Sequence, residues 1–214
     1  MDFAAQRAGL VAHLGTEIRD KRVLAAMSRV PREQFVPAEV RHQAYEDRPL
    51  PIGLEQTISQ PYIIALMTEA LELAGGEKVL EVGTGSGYQT ALLAGLAARV
   101  ITVERLAPLM AQARMTLDGL GYRNIEFHPA GKELGWPPEA PYEAIIVTAA
   151  APRVPAALMR QLAVGGRMMI PVGSRYLQEL TRITRGEKNN RVQNLGGCRF
   201  VSLIGEEAWE EESS

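Results

Sequence analysis

The chain has 214 residues, 46% hydrophobic and 22% charged, with 23 basic against 25 acidic side chains and a formal charge of −2. That size and composition predict one folded domain with a sizeable core, neither collagenous nor disordered. The charge balance offers no electrostatic grip on nucleic acid or an acidic membrane, so neither is expected as a partner. Cys198 is the one cysteine, which excludes an intrachain disulfide and suits a reducing, cytoplasmic setting. Three scattered histidines and no Cys/His cluster give no reason to expect a metal. No run of about 18 apolar residues is present to span a membrane. The first segment lacks the basic-then-apolar order of a signal peptide.

In chain order, the first 22 residues read as an amphipathic helix with Leu10, Leu14 and Ile18 on one face. Val23, Leu24, Met27 and Val30 form a second short helical run that stops at Pro31. The stretch from Asp47 to Gly53 holds two prolines and a glycine and is expected to be irregular, with Asp47 and Arg48 as a local ion pair shaping it. A helix resumes near Pro61 and runs through Ile64, Met67 and Leu71 to a stop at Gly75. From Lys78 the pattern alternates. Strands are expected at Lys78–Val82, Val100–Val103, Ile125–His128, Ala144–Thr148 and Arg167–Pro171, with helices at Tyr88–Ala97, Pro108–Leu120 and Pro155–Ala163. The continuous apolar runs VLEV, VITV, AIIV and MMI suit parallel strands covered on both faces. This alternation predicts a doubly wound, mostly parallel α/β sheet with helices N-terminal to it. Glu179–Arg185 and Arg199–Ile204, joined by the polar link GEKNNRVQN, are expected to add an antiparallel edge. The acidic end from Glu206 reads as a solvated tail.

The most informative segment is KVLEVGTGSGYQTALLAGLAARVITVER. A buried strand ends at Glu81-Val82, a loop Gly83-Thr84-Gly85-Ser86-Gly87 follows, and a helix opens at Tyr88. Glycines let the backbone approach a ligand, and a helix start offers unpaired N–H groups. The next strand ends at Glu104, a carboxylate placed to accept from both hydroxyls of a ribose. A dinucleotide loop of the form G-x-G-x-x-G would need glycine at position 88, which is tyrosine here, and Glu81 would repel a pyrophosphate. A carboxylate suits a sulfonium or ammonium instead. The pattern therefore favours S-adenosylmethionine over a nicotinamide cofactor, with plain turn glycines and surface carboxylates as the bland alternative. Tyr88 fits either the pocket wall or ordinary packing.

Beyond this loop the chain resembles the protein-L-isoaspartate O-methyltransferases. The matching segments are VPREQFVP, AYEDRPLPIG and QTISQPYI, then the glycine loop, ITVER, LGW, YEAIIVTAAAP, GGRMMIPVG and CRFVSLIG, together spanning roughly residues 20 to 205. QTISQP with YEDRPLPIG is the specific part. The resemblance implies a Rossmann-like fold and transfer of a methyl group from S-adenosylmethionine to the free α-carboxylate of an L-isoaspartyl residue in damaged proteins and peptides. The ester then closes spontaneously to a succinimide, whose hydrolysis restores some normal aspartate. It assigns Ser59 as the active-site residue. It implies cofactor contacts from Thr57, Ile58 and Gln60, from Glu81, Gly83, Thr84, Gly85, Ser86, Gly87 and Tyr88, and from Glu104, Gly131 and Lys132. Thr148, Ala149 and Ala150 would border the substrate together with Ser59. A monomer is the family default. On this reading residues 1–214 form one methyltransferase domain, divided into a substrate-side region (1–75), a cofactor-binding core (76–174), antiparallel strands (175–205) and a tail (206–214).

The chain departs from the family at Ala130-Gly131-Lys132, where Gly-Asp-Gly is usual and its Asp accepts from the adenine amino group. A backbone carbonyl, a water or Glu133 is left to take that role. The transfer itself needs no base, because a carboxylate with a pKa near 4 is already ionised at pH 7. An enclosed, aligned site supplies the catalysis. Ser59 would then orient the acceptor carboxylate by a hydrogen bond, although its place just before Pro61 also suits a helix cap. Thr148 reads equally as a strand terminator. A non-catalytic nucleoside-binding module is the alternative from another class. His13, His42 and His128 receive no role, and Cys198 reads as a small core or strand residue.

Overall fold

A computed structural model describes residues 2–210. Helices α1 (Phe3–Leu14) and α2 (Lys21–Arg29) open the chain, each capped by an aspartate. Asp2 accepts from the Ala5 amide at 3.0 Å and Asp20 from the Arg22 amide at 2.7 Å, satisfying N–H groups that a helix start leaves unpaired. After two 3₁₀ turns come the short strands β1 (Leu50–Gly53) and β2 (Gln56–Ile58), then α3 (Pro61–Ala70).

The remaining elements alternate: β3 (Lys78–Val82), α4 (Tyr88–Ala94), β4 (Arg99–Glu104), α5 (Ala107–Gly119), β5 (Ile125–Pro129), β6 (Tyr142–Val147), α6 (Ala156–Gln161) and β7 (Leu162–Gly173). They close with β8 (Gln178–Thr184) and β9 (Arg191–Cys198). The main sheet has seven strands in the order β5-β4-β3-β6-β7-β8-β9, parallel as far as β7 and antiparallel from there. The doubly wound, mostly parallel architecture with an antiparallel edge is thus observed.

Side chains alternate across the central strands. Val79, Val100, Ala144 and Ile146 pack with α1, α2, α3 and α4 on one face. Leu80, Val82, Ile101, Val103, Ile145 and Val147 pack with Ala157 and Leu158 of α6 on the other. Burial on both faces is why these strands read as unbroken apolar runs. The chain order reverses at β3, which pairs with β4 on one side and β6 on the other. Their carboxyl ends therefore open side by side, at the place where open α/β sheets bind ligands.

Three expectations are corrected. The Asp47–Gly53 stretch is not wholly irregular, because Leu50–Gly53 pairs with β2, burying Leu50 against Ile58. A two-stranded ribbon tolerates Pro51, which need only turn its missing N–H outward. The last strand is Arg191–Cys198, which includes part of the segment read as a polar link, and not Arg199–Ile204. It is a mostly exposed edge strand, so no apolar pattern marks it. Phe200, Val201, Leu203 and Ile204 supply the apolar pattern there and line the site, with Ser202 bridged to Ala150. Finally, residues 206–210 are not all solvated: the Trp209 amide donates to the Leu203 carbonyl at 3.0 Å, and Glu207 accepts from the Ala157 amide at 2.8 Å. Positions 211–214 lie outside the described residues.

Candidate active site

The glycine loop leaves β3 beside Thr148, whose amide donates to the Val82 carbonyl at 3.0 Å and whose hydroxyl donates to the Gly83 carbonyl at 2.6 Å. Gly83 has φ +98°, and a Cβ there would lie 2.3 Å from the Thr148 hydroxyl oxygen, so only glycine fits. Gly87 is required for a different reason. It caps α4 at φ +87°, and a Cβ would press within 3.1 Å of Ala113 and Leu117 on α5. It is a packing glycine turned away from the ligand side.

A cavity opens over this loop. Gly83, Thr84, Gly85 and Ser86 form its floor, and Glu104 and Gly131 line it at the end of β4 and beyond β5. Thr57, Ile58 and Ser59, together with Thr148 and Ala149, form the wall toward the N-terminal region. Glu104 is held firmly: one oxygen accepts from the Gly85 amide and the other from the Leu106 amide, each at 2.9 Å. Each oxygen keeps a second lone pair for a ligand hydroxyl.

Several expected contacts sit elsewhere. Glu81 does not line the cavity. It is fully buried beneath the loop, where one oxygen accepts from the Thr90 and Thr102 hydroxyls at 2.6 and 2.7 Å and the other has no partner. Burial pushes its carboxyl up to about 8, against the pull of those hydroxyls and with a push from Glu104. A carboxyl so readily protonated would not repel a pyrophosphate strongly, which removes one of the two reasons given above against a dinucleotide.

Tyr88 is buried under the Arg32 guanidinium, 4.8 Å from its ring centroid, and edge-on to Phe35. It is a packing residue. Lys132 and Ala150 do not line the cavity either. Ala150 faces the 199–204 segment, donating its amide to the Val201 carbonyl at 2.8 Å. The Asp47–Arg48 pair is absent: Arg48 donates to Glu46 at 2.6 Å. Asp47 instead accepts from the Tyr62 amide at 2.8 Å and the Gln60 side chain at 2.9 Å. Asp47, not Ser59, thereby caps α3, and Gln60 is drawn out of the main cavity.

A second cavity adjoins the first. Thr57, Ser59, Thr148, Phe200 and Val201 line both, so Ser59 stands where they meet. Pro49, Gln60, Ile63, Gly197 and Cys198 also line the second, and Arg199 is its one charged lining residue among the described residues. Sequence reading missed Met67, Gln89, Leu109 and the Phe200–Leu203 lining. Met67 lies one turn beyond Ile64 on α3, and Leu109 falls in the first turn of α5. Each follows a loop already singled out, which was the available signal. Glu133 lines the cavity beside Gly131 and is paired with Arg160 at 3.1 Å.

This donor set fits an adenosyl ligand. A rim carboxylate suits a ribose, the glycine floor admits close backbone approach, and Ile64, Met67, Leu109 and Leu134 give apolar walls.

Comparison with known proteins agrees with this geometry. The model of the family described as protein-L-isoaspartate(D-aspartate) O-methyltransferase (PCMT) matches residues 6–208. The chain is 53% identical over 212 residues to a Geobacter metallireducens protein named protein-L-isoaspartate O-methyltransferase, covering 99% of this chain and 98% of that one. A Marinobacter nauticus protein named protein-L-isoaspartate O-methyltransferase 2 is 57% identical, with 90% and 89% covered. A solved Plasmodium falciparum structure, described as a PCMT in complex with S-adenosyl-L-homocysteine, superposes with a TM-score of 0.79 at 26% identity, covering 92% of this chain and 98% of that one. With its sheet order, its glycine loop and near-complete coverage by these relatives, the chain belongs to the protein-L-isoaspartate(D-aspartate) O-methyltransferase family.

Proposed function

We propose that this protein methylates the free α-carboxylate of L-isoaspartyl residues in damaged proteins and peptides, with S-adenosylmethionine as donor, and so starts their repair. The observation that carries the reading is the pair of cavities joined at Thr57, Ser59 and Thr148. One has the rim and walls for an adenosyl group, and the other is open to a chain segment. S-adenosylmethionine supplies an activated sulfonium methyl when bound.

The protein's own residues hold and align. The Gly83–Ser86 backbone makes room for the donor's amino-acid end. Glu104 takes the ribose hydroxyls, and Thr57 and Ile58 close over the donor from the N-terminal side. Gly131 and Glu133 flank the adenine, Glu133 standing near where the usual aspartate is missing. Glu81 acts from beneath by mooring the loop: its buried carboxyl accepts from the Thr90 and Thr102 hydroxyls. Ser59 donates to the acceptor carboxylate at the junction, and Thr148 and Ala149 border the acceptor backbone. Arg199 gives the acceptor side a positive rim for an anionic group. The 200–203 segment and α3 exclude water, which strengthens each of these contacts.

The chain acts as a monomer in the cytoplasm on peptide and protein acceptors, without nucleic acid or membrane. The near-balanced charge supports the absence of nucleic-acid and membrane partners and the single cysteine supports the cytoplasmic setting, while the monomer follows the family default. The test is methyl incorporation from labelled S-adenosylmethionine into paired peptides carrying aspartyl or isoaspartyl at one position. Labelling of the isoaspartyl member alone is expected. Equal labelling, or none, would refute the assignment.

A further inference from the structure

Arg32 is completely buried. Its Nε donates to the Ala44 carbonyl and its Nη2 to the Ser59 carbonyl, both at 2.8 Å, while Nη1 has no partner. The guanidinium lies over the Tyr88 ring. No carboxylate among the described residues forms an ion pair with it. Asp47 attracts it from farther off, but both Asp47 oxygens are engaged by Gln60 and the Tyr62 amide. Burial lowers the guanidinium to about 10, so it remains charged at neutral pH.

A buried charge without a close counter-ion costs stability, and an apolar side chain of similar volume would serve the fold better. Its two neutral acceptors return part of that cost and leave the charge itself uncompensated. The charge sits one hydrogen bond from the backbone of Ser59, and Ser59 lines both cavities.

We infer that Arg32 is a positioning residue for the methyl acceptor: it fixes the Ser59 backbone from behind the cavity wall and places a buried positive charge there, which attracts the acceptor carboxylate from one layer further in. The step rests on the acceptor assignment above. It gives the segment VPREQF a purpose beyond packing, since Arg32 ties the Ala44 turn, α4 and the junction of the cavities into one unit. The anion completes a charge balance that the unliganded protein leaves open. Ground-state and transition-state alignment of the acceptor both depend on it, whereas its hydrogen bonds reach neither the Gly83–Ser86 floor nor the Glu104 rim of the donor pocket.

The test compares Arg32→Lys with Arg32→Gln, since both can donate to a carbonyl and only lysine keeps the charge. Steady-state kinetics with an isoaspartyl peptide are read beside S-adenosylhomocysteine titration and thermal melting. Arg32→Gln should lower kcat/KM for the acceptor by roughly 30-fold, Arg32→Lys by no more than about threefold, and both should bind S-adenosylhomocysteine within about twofold of the parent. Equal losses in the two variants, tracking their melting temperatures, would reduce Arg32 to a structural role and overturn the inference. So would an Arg32→Gln protein with parental kcat/KM. Should Arg32→Gln fail to fold, a folded Arg32→Lys losing more than about tenfold overturns it as well. A parent chain that labels no isoaspartyl peptide would instead bring down the acceptor assignment itself.

Discussion

Thr102 donates to Glu81 at 2.7 Å, and its hydroxyl oxygen meets that of Thr84 at 2.6 Å. The glycine loop is therefore moored through two hydroxyls to a carboxyl buried beneath it. This mooring, more than any charge on the cavity wall, explains why a carboxylate precedes the loop. It also makes the unliganded protein sensitive to pH.

Burial raises the Glu81 carboxyl from 4.5 to about 8, so the folded protein holds that proton more tightly than the unfolded chain. The corresponding stability is complete below pH 4.5 and is lost as pH rises through 8. Glu81→Gln is neutral throughout and lacks this dependence. Melting temperatures of the two unliganded proteins between pH 5 and 9 should diverge in favour of Glu81→Gln as pH rises. Parallel curves would show that Glu81 ionises normally.

Ser59→Ala should lower turnover with the isoaspartyl peptide by about 10- to 100-fold, the worth of one hydrogen bond to a charged group, about 1.5–3 kcal/mol. S-adenosylhomocysteine affinity should stay within about twofold. Because Asp47 caps α3, melting should change little. A large loss of stability with intact turnover would return Ser59 to a structural part.

Glu104→Ala removes the acceptor for two backbone amides as well as the proposed ribose contact. Isothermal titration should show S-adenosylhomocysteine binding weakened by about 10- to 100-fold, or about 1.4–2.8 kcal/mol. Unchanged affinity would remove the ribose role.

Gly83→Ala combines a left-handed backbone with a Cβ 2.3 Å from the Thr148 hydroxyl oxygen. A loss of about 1–3 kcal/mol is expected in denaturant unfolding, with donor affinity falling at the same time. Gly131→Ala is the control, since nothing lies within 4 Å of its Cβ position, and it should fold as the parent does.

Much of this was legible in the sequence, for reasons that differ by element. The parallel core declared itself because β3, β4 and β6 are buried on both faces. The loop and Glu104 were legible because close backbone approach admits few residue types. Glu81, Gly87 and Tyr88 belong to the right motif but serve its underside. A linear pattern shows which residues neighbour the loop and not which way their side chains turn. Strand β9 was hidden because an exposed edge strand owes its place to pairing with β8 and carries no hydrophobic alternation. Asp47 as the cap of α3 was hidden too, since 15 residues separate it from the Tyr62 amide it accepts.

The central claim is that the isomerised backbone acid is the group modified. Its most direct measure is chromatographic conversion of a synthetic isoaspartyl peptide during prolonged incubation. With protein and S-adenosylmethionine together, the aspartyl form should accumulate by way of a succinimide, and omission of either should leave the starting peptide. An isoaspartyl peptide that persists unchanged in the complete mixture would contradict the account.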